Sequence, residues 1–366
     1  MAHRKRTVMP VGIHLNAESV QMVQLGLTDN GVEIISTAAQ TFAVPADNGA
    51  GLARPVSEAE AAERFAPARE FIRTKMTTDG FKGKDVVVSL PSSNLAIQHL
   101  RLPPMPGDEL AAALPYELQG KLPFEVKDAV VRHILAGTVS ENNEPKQDVI
   151  VLAARRGSVE RAASMMGRLG LNVVGVGIEP CAMCTPYAYA SSQAPATQEG
   201  PPGLMIVYLA PEYTYVAIVR GPETTFVKGI EHGTAKVVDA IAASRKITGA
   251  EAFALRAKWC DSPTAENLAE AVELYNSVRW SLEHYLDEIE SCMRYHASLA
   301  RGLRVDRLHF VGPEARDRAL VRILSASLTV PCEVGDPMGA IVGGAVRHDV
   351  APQMAVAVGL SLFGAA

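Results

Sequence analysis

The chain has 366 residues, of which 48% are hydrophobic and 20% are charged, and its formal net charge is -5 at pH 7. These values are typical of a folded protein of about two or three domains, and they exclude an intrinsically disordered chain. They also provide no basic field of the kind that binds nucleic acid.

The first segment shows the alternation of a β-meander. Between Val8 and Phe42, apolar residues alternate with small or polar ones in successive short runs. The Asn-Gly pair at 30–31 separates two of these runs and is typical of a tight hairpin turn. A loop is expected over residues 47–57, and the apolar spacing then predicts an amphipathic helix over Glu58–Met76.

The next region predicts a compact unit of about 95 residues with the element order β-α-β-β-α-β. Asp108 is placed to cap the first helix of this unit, and Pro115 should kink that helix. The predicted strands cover 85–90, 130–137, 148–154 and 173–178, and the predicted helices cover 109–121 and 158–169.

The second half repeats the order of predicted elements found in the first. Residues 191–203 are rich in Ser, Ala, Pro and Gly, which predicts a linker or hinge. Strands are then expected over 204–209, 213–220, 224–229, 307–311 and 331–334, and helices over 236–299, 319–328 and 354–362. Since each half begins with a three-stranded meander and continues into helices, we predict duplicated α/β halves around a cleft, as in the actin and sugar-kinase fold.

The sequence contains no membrane-crossing or export signal that we can identify. No apolar run reaches the roughly 18 residues that a transmembrane helix needs. The basic start, residues 1–6, is not followed by a signal-peptide core, because Pro10, Gly12, His14 and Asn16 interrupt it. We therefore expect a cytoplasmic protein, and we interpret the basic start as a solvated tail in preference to a membrane-surface contact.

The five cysteines form an odd and widely spread set. Cys181 and Cys184 make a lone CxxC pair, but a zinc or redox site would need a second pair or a thioredoxin-like context. The pattern favours reduced, buried thiols over a disulfide framework or a metal site.

One predicted helix carries Glu283, His284, Asp287 and Glu288 at spacings of three or four. Such a set could hold a metal ion, but a solvated helix face is the favoured interpretation. The serines give no pattern of a catalytic nucleophile.

Four stretches of the sequence carry a family resemblance. The most specific begins Leu100-Arg-Leu-Pro-Pro-Met-Pro-Gly-Asp and continues through Pro115-Tyr-Glu-Leu to Leu122-Pro-Phe. The others are Val11-Gly-Ile-His-Leu-Asn, Tyr285-Leu-Asp-Glu-Ile-Glu with Val305-Asp-Arg-Leu-His-Phe-Val-Gly, and Val334-Gly-Asp-Pro with Ala357-Val-Gly-Leu-Ser-Leu. In these stretches the chain resembles the PilM family of type IV pilus assembly proteins and, more distantly, the bacterial division protein FtsA.

The resemblance implies an α/β, actin-like (ribonuclease H-like) fold of two domains with an α+β subdomain inserted in the first half. It also implies a division of the chain. The expected parts are 1–84 as the first part of subdomain 1A, 85–180 as the inserted subdomain 1C, 181–202 as the return to 1A and the hinge, 203–235 with 303–340 as subdomain 2A, 236–302 as the helical subdomain 2B, and 341–366 as the C-terminal helix of 1A.

A nucleotide cleft between two β-hairpin loops is implied as well. In actin-type ATPases each loop uses a glycine, which lets backbone N–H groups approach the phosphates, and an aspartate, which orients Mg²⁺. In this chain His14 and Tyr208 stand at the two aspartate positions. The other departures are Asn16 and Ala210 at the loop glycines, Gln21 at the lysine position, and Gly312-Pro313-Glu314-Ala315 at the adenosine-side Gly-Gly turn.

These departures predict a nucleotide site that has lost its phosphate chemistry. Neither His14 nor Tyr208 can hold Mg²⁺ as a carboxylate does, and losing electrostatic contacts to a transferring phosphoryl group costs orders of magnitude in rate. We therefore expect no catalytic residues and no efficient hydrolysis. Binding of ATP with Mg²⁺ as a structural ligand stays open.

The function implied by the resemblance is that of a scaffold or adaptor in a type IV pilus, or in a related secretion or competence machine, at the inner membrane. The implied partner is a PilN-like single-span membrane protein, bound through its cytoplasmic N-terminal segment, with other pilus platform or motor proteins beside it. The alternative is an ATP-binding actin-like ATPase of the same machine. A sugar or acetate kinase ranks last, because it needs intact phosphate loops.

The partner groove is expected beside the kinked segment of the inserted subdomain, on the resemblance alone. The candidate residues are Leu110, Leu114, Tyr116, Leu122 and Phe124. The alternative is that these residues form the core of the subdomain.

Overall fold

A computed structural model provides the structure of the protein. It describes residues 7–16, 19–42, 65–141, 144–193, 200–261, 264–299, 304–342 and 351–363. The predicted basic start, the predicted helical residues 58–64 and residues 194–199 of the predicted linker lie outside the described residues.

The first half of the chain contains eight described strands and five described helices. In chain order they are β1 (Thr7–Leu15), β2 (Ser19–Thr28), β3 (Gly31–Thr41), α1 (Ala66–Thr78), β4 (Asp85–Leu90), β5 (Leu95–Leu102), α2 (Gly107–Glu117), β6 (Ala129–Glu141), β7 (Glu144–Arg155), α3 (Arg156–Gly167), β8 (Asn172–Ile178), α4 (Glu179–Ala182) and α5 (Thr185–Gln193).

The second half continues with the same kinds of element. In chain order they are β9 (Gly203–Leu209), β10 (Thr214–Arg220), β11 (Glu223–Ile230), α6 (Ala235–Arg245), α7 (Gly249–Asp261), α8 (Ala265–Ser277), α9 (Trp280–Leu299), β12 (Arg307–Val311), α10 (Arg318–Ser327), β13 (Cys332–Val334), α11 (Pro337–Val342) and α12 (Ala355–Ser361). No helix among the described residues is both long enough and apolar enough to cross a membrane.

Two five-stranded sheets repeat one topology. Their strand orders are β3-β2-β1-β4-β8 and β11-β10-β9-β12-β13. In each sheet the first three strands of the half form an antiparallel meander, and the last two strands add in parallel beside the first strand. The duplication predicted from the two meanders is confirmed by this pairing.

A third, three-stranded sheet has the order β5-β7-β6. Helix α2 packs on one face of it through Leu110, Leu114 and Leu118, which meet Val149 and Val151 of β7. This sheet is narrower than the predicted inserted unit 85–180, because β4 and β8 belong to the first five-stranded sheet. The division of the chain into subdomains stays a prediction.

Some predicted details of the first half are corrected by the structure. Strand β5 was not predicted, so the expected six-element unit has a seventh element and is shared between two sheets. Asp108 does not cap α2; the N-cap is Pro106, without a side-chain hydrogen bond, and Asp108 lies in the first turn. Residues 191–193 of the predicted linker belong to α5.

The C-terminal helix α12 is buried on every side. All seven of its residues are buried, and it packs against β1 and β2. Glycine is required where its backbone passes other chain segments, because a Cβ at Gly12 would lie 2.0 Å from the Ala357 carbonyl oxygen and one at Gly359 would lie 1.8 Å from the Ala182 carbonyl oxygen. These contacts connect the end of the chain to the first sheet.

The two halves share an apolar core. Side chains of the first half, including Met183 and Tyr187, pack with Tyr208 and Ala217 of the second half. The inserted sheet also meets the second half, since His99 Nε2 lies 2.7 Å from the Val227 carbonyl oxygen.

Candidate functional site

The predicted site residues lie at the carboxyl ends of parallel strands. His14 is the second-last residue of β1 and Tyr208 the second-last of β9, while Glu179 directly follows β8 and Gly312 directly follows β12. In open α/β sheets, ligands bind in the crevice outside these strand ends. The structure therefore brings His14, Tyr208 and Gly312 to the region where the fold would place a ligand.

A buried carboxylate occupies the centre of this region. Glu179 is 1% exposed and His14 is 0% exposed, and their Oε1 and Nε2 atoms are 2.8 Å apart. Because an ionised carboxylate only accepts hydrogen bonds, His14 Nε2 is the donor. The Tyr213 hydroxyl lies 2.8 Å from both carboxylate oxygens of Glu179, so the second half contributes a donor too.

Aromatic rings complete the packing around Glu179. The Tyr208 ring stacks on the Tyr213 ring at 6.2 Å between centroids and meets the His14 ring edge-on at 6.2 Å. Burial, and then the Glu179 charge, raises the pKa of both tyrosines well above the usual value. Both phenols therefore stay neutral, and Tyr208 provides no anionic oxygen for a metal ion.

The first hairpin uses its polar groups internally. Leu15 N–H donates to Ser89 Oγ at 3.1 Å, and Asn16 N–H donates to the Ser19 carbonyl at 3.1 Å. Asn16 Oδ1 accepts from the backbone N–H and the hydroxyl of Ser19. Gln21, at the predicted lysine position, is buried and donates to Ser19 Oγ. The described part of this hairpin thus bonds to itself and its sheet.

The second hairpin is closed in the same way. Ala210 N–H donates to the Tyr213 carbonyl at 3.2 Å, and the Ala210 carbonyl accepts from Thr234 N–H at 3.1 Å. The next residue, Pro211, has no N–H, and its carbonyl accepts from Ala235 N–H at 2.8 Å. Neither Ala210 nor Pro211 therefore offers a free backbone donor to a phosphate.

A buried ion network occupies the adenosine-side turn. Arg256 of α7 donates through Nη2 to Glu314 at 2.7 Å and to Asp317 at 3.1 Å. Thr234 Oγ1 donates to Glu314 at 2.6 Å, and the Tyr275 hydroxyl donates to Asp317. The network links α6, α7 and α8 to the segment that follows Gly312.

The backbone at Gly312 explains why a glycine stands there. Its φ is +96°, and a Cβ would lie 2.5 Å from the Leu209 carbonyl oxygen. The glycine thus lets β12 end against the second hairpin. A small apolar pocket beside this turn has no room for a water molecule. It is lined by Leu209, Thr234, Leu282, Tyr285, Leu320 and Leu324.

ATP and Mg²⁺, which the fold implies, do not fit the described residues of the cleft between the two hairpins. His14 and Tyr208 provide no carboxylate at the positions where the resemblance implies metal-orienting acids, Pro211 has no N–H, and the Ala210 N–H is already bonded. The carboxylate between the two hairpins, Glu179, already accepts from His14 and Tyr213. A phosphate group here would have to displace buried hydrogen bonds, which is costly.

The residues proposed for a partner groove do not share one environment. Leu110 and Leu114 are buried in the core of the inserted sheet, so they cannot contact a partner directly. Tyr116 is 76% exposed. Leu122 is partly buried against the same core, and the Arg155 guanidinium lies 4.8 Å from the centre of the partly buried Phe124 ring.

The other sequence candidates have ordinary roles. All five cysteines are free, and burial raises the pKa of Cys181 to about 12, so this thiol is unreactive at neutral pH. Glu283, His284 and Asp287 are exposed on α9, and Glu288 pairs with Lys228 at 2.6 Å.

Sequence reasoning missed Glu179, Tyr213 and Arg256. The acids were expected in the two hairpins, whereas Glu179 directly follows β8. The available signal was an acid directly after a parallel strand and directly before a helix-starting proline, Ile178-Glu179-Pro180. Arg256 gave no signal, because its partners are about 60 residues away in the sequence.

The chain is similar over most of its length to known proteins. A family model described as "Type IV pilus assembly protein PilM" matches residues 12–364. A chain of the solved structure "PilM-PilN type IV pilus biogenesis complex" is 19% identical, with a TM-score of 0.73, over 98% of this chain and 99% of that chain. Ethanolamine utilization protein EutJ from Carboxydothermus hydrogenoformans is 14% identical, with a TM-score of 0.54, over 99% of this chain and 91% of that chain. The predicted α/β, actin-like fold is confirmed.

Proposed function

The chain belongs to the PilM family of type IV pilus assembly proteins, and on that premise we propose that it is a non-hydrolysing adaptor that binds the cytoplasmic N-terminal segment of a PilN-like membrane protein. In this role it would link the inner-membrane part of a pilus, secretion or competence machine to parts of the machine in the cytoplasm. The single observation that carries the proposal is the match to a chain of the PilM-PilN complex over nearly the full length of both chains.

The geometry of the cleft supports the non-hydrolysing part of the proposal. The strand ends that would face a nucleotide carry His14, Tyr208 and an already bonded Glu179. Hydrolysis of ATP requires charge stabilisation by Mg²⁺ and oriented donors, and these residues supply neither. An adaptor needs only a stable, correctly shaped surface.

The inserted sheet is the proposed location of the partner surface. Tyr116 lies in the last turn of α2 and is exposed, and Leu122 and Phe124 lie on the segment that joins α2 to β6 and are partly buried. Exposed tyrosines with adjacent apolar side chains are frequent in the energetic centres of protein interfaces. Leu110 and Leu114 would act indirectly, by holding α2 in place.

The test is binding of the synthetic N-terminal cytoplasmic segment of the PilN-like protein to the full chain, measured by calorimetry. Tyr116→Ala should weaken binding by at least about tenfold. Trp280→Ala is the matched control, since Trp280 is also an exposed aromatic residue (66%) but starts α9 in the second half. Its affinity should equal that of the wild type.

Two results would contradict the proposal. If the folded wild-type protein does not bind the segment, the adaptor role fails. If Tyr116→Ala and Trp280→Ala lower the affinity equally, the inserted sheet is not the partner surface.

A further inference from the structure

We propose that the Glu179 carboxylate is a built-in substitute for a bound anion, and that it ties together the two hairpins that face each other across the cleft. The inference goes beyond the adaptor role. It rests on that role in one respect, since it requires that no nucleotide phosphate occupies the same place.

The location of Glu179 is that of a ligand. It follows β8, whose carboxyl end lies beside those of β4 and β1 in the first sheet. The Tyr208 ring, near the carboxyl end of β9 in the other sheet, packs next to His14. Ligands of open α/β sheets bind outside such strand ends, and here a side chain of the protein fills the position.

The donors around Glu179 come from both halves of the molecule. His14 belongs to the β1–β2 hairpin and Tyr213 to the β9–β10 hairpin, and each lies 2.8 Å from the carboxylate. Glu179 is thus a polar group that both hairpins contact. A buried carboxylate is tolerated only when such donors surround it, so removing it leaves two buried donors without an acceptor.

The adenosine-side turn shows the same arrangement independently. The Glu314 carboxylate accepts from Thr234 at 2.6 Å and from Arg256 at 2.7 Å, and these donors belong to different elements. Carboxylates of the chain therefore occupy two of the places where polar groups of a ligand would otherwise gather the surrounding loops.

A built-in anion can be separated from an ordinary buried pair by chemical rescue. Glu179→Ala removes one methylene and one carboxylate group, which together correspond to acetate. If the site is shaped for an anion, acetate in excess should re-enter it and stabilise the variant, because a ligand that binds only the folded state shifts the equilibrium towards it. Chloride at the same ionic strength is the control, because it lacks the two carboxylate oxygens.

The experiment is amide hydrogen exchange of the full chain, read in peptides that cover β1–β2 and β9–β10. In Glu179→Ala both hairpins should exchange at least about tenfold faster than in the wild type while α10 keeps its protection. Acetate should restore most of the protection in both hairpins, and chloride should not.

Two tyrosine variants keep the test decisive if Glu179→Ala does not fold. Tyr213→Phe removes only the hydroxyl that reaches Glu179 and should loosen the β9–β10 hairpin. Tyr187→Phe is the matched control, because the Tyr187 hydroxyl is buried without a hydrogen-bond partner among the described residues. It should leave exchange unchanged.

The inference is overturned if Tyr213→Phe exchanges like Tyr187→Phe, if only one hairpin loosens in Glu179→Ala, or if chloride rescues as well as acetate. A separate measurement with Mg-ATP distinguishes this failure from failure of the proposed function. Release of phosphate from Mg-ATP by the wild type would contradict the non-hydrolysing adaptor, whereas loss of acetate rescue alone would contradict only the role of Glu179.

Discussion

At the scale of single residues, the cleft is defined by polar side chains that bond to one another. Glu179 accepts from His14 and Tyr213 at the strand ends, and Glu314 accepts from Arg256 after Gly312. Buried charges are stable only when paired, so each member of such a set becomes important once the others are present. These polar groups therefore bond to other groups of the protein and not to a ligand.

Arg256→Met should be strongly destabilising. The change leaves the buried Asp317 and the largely buried Glu314 without their cation, and breaking a buried pair in this way typically costs about 3–5 kcal/mol. Urea denaturation measures the free energy of unfolding. The control is Arg294→Met, which removes an exposed pair with Glu290 and should cost less than about 0.5 kcal/mol. Equal costs for the two variants would contradict the network.

Stability should fall as the pH drops from about 6.5 towards 4. Burial lowers the pKa of both His232 and His296 from 6.5 to about 4, with smaller contributions from Lys236 and His284 at the first and Arg220 at the second. In this window the unfolded chain takes up protons that the folded protein does not, so acid favours unfolding.

Thermal unfolding at pH 7.5 and at pH 5 measures this effect. The double variant His232→Gln with His296→Gln should lose less stability between the two pH values than the wild type does. A wild-type melting temperature that stays constant over this range would show that the two histidines are not buried in the neutral form.

At the scale of elements, strands with a continuous apolar run could be predicted, and a strand whose apolar side chains change face could not. The meander strands β9 to β11 were predicted within one residue at each end. Strand β5 was missed because its apolar alternation changes phase: Leu95 and Ile97 pack towards the second half, while Leu100 packs on the opposite face, under α2. Glu179 was missed for a related reason, since its partners are set by the meeting of two sheets and not by local spacing.

Helix α12 provides a prediction at this scale. Gly12→Ala would place a Cβ 2.0 Å from the Ala357 carbonyl oxygen, so the helix must move off β1, and the expected cost exceeds about 3 kcal/mol. Gly167→Ala in α3 has no atom within 4 Å of the new Cβ and should be neutral or stabilising by about 0.5–1 kcal/mol. Chemical denaturation of both variants checks the pair, and a neutral Gly12→Ala would contradict the tight packing of α12.

At the scale of the whole molecule, an actin-like fold is joined to a cleft that its own side chains fill. The two sheets repeat one topology, and an apolar core connects the halves. A fold can keep its architecture while the site that it carries changes function, because architecture depends on the core and chemistry depends on a few residues. This pilus assembly protein has kept the architecture of the fold, and we infer that its role no longer depends on chemistry in the cleft.

The most direct test of this account is one calorimetric titration of the full chain with the PilN-like N-terminal segment, performed with and without saturating Mg-ATP. A non-hydrolysing adaptor should give the same dissociation constant for the segment in both titrations. Mg-ATP alone should give no heat of binding and no release of phosphate. Segment binding that requires Mg-ATP, or that is accompanied by phosphate release, would contradict it.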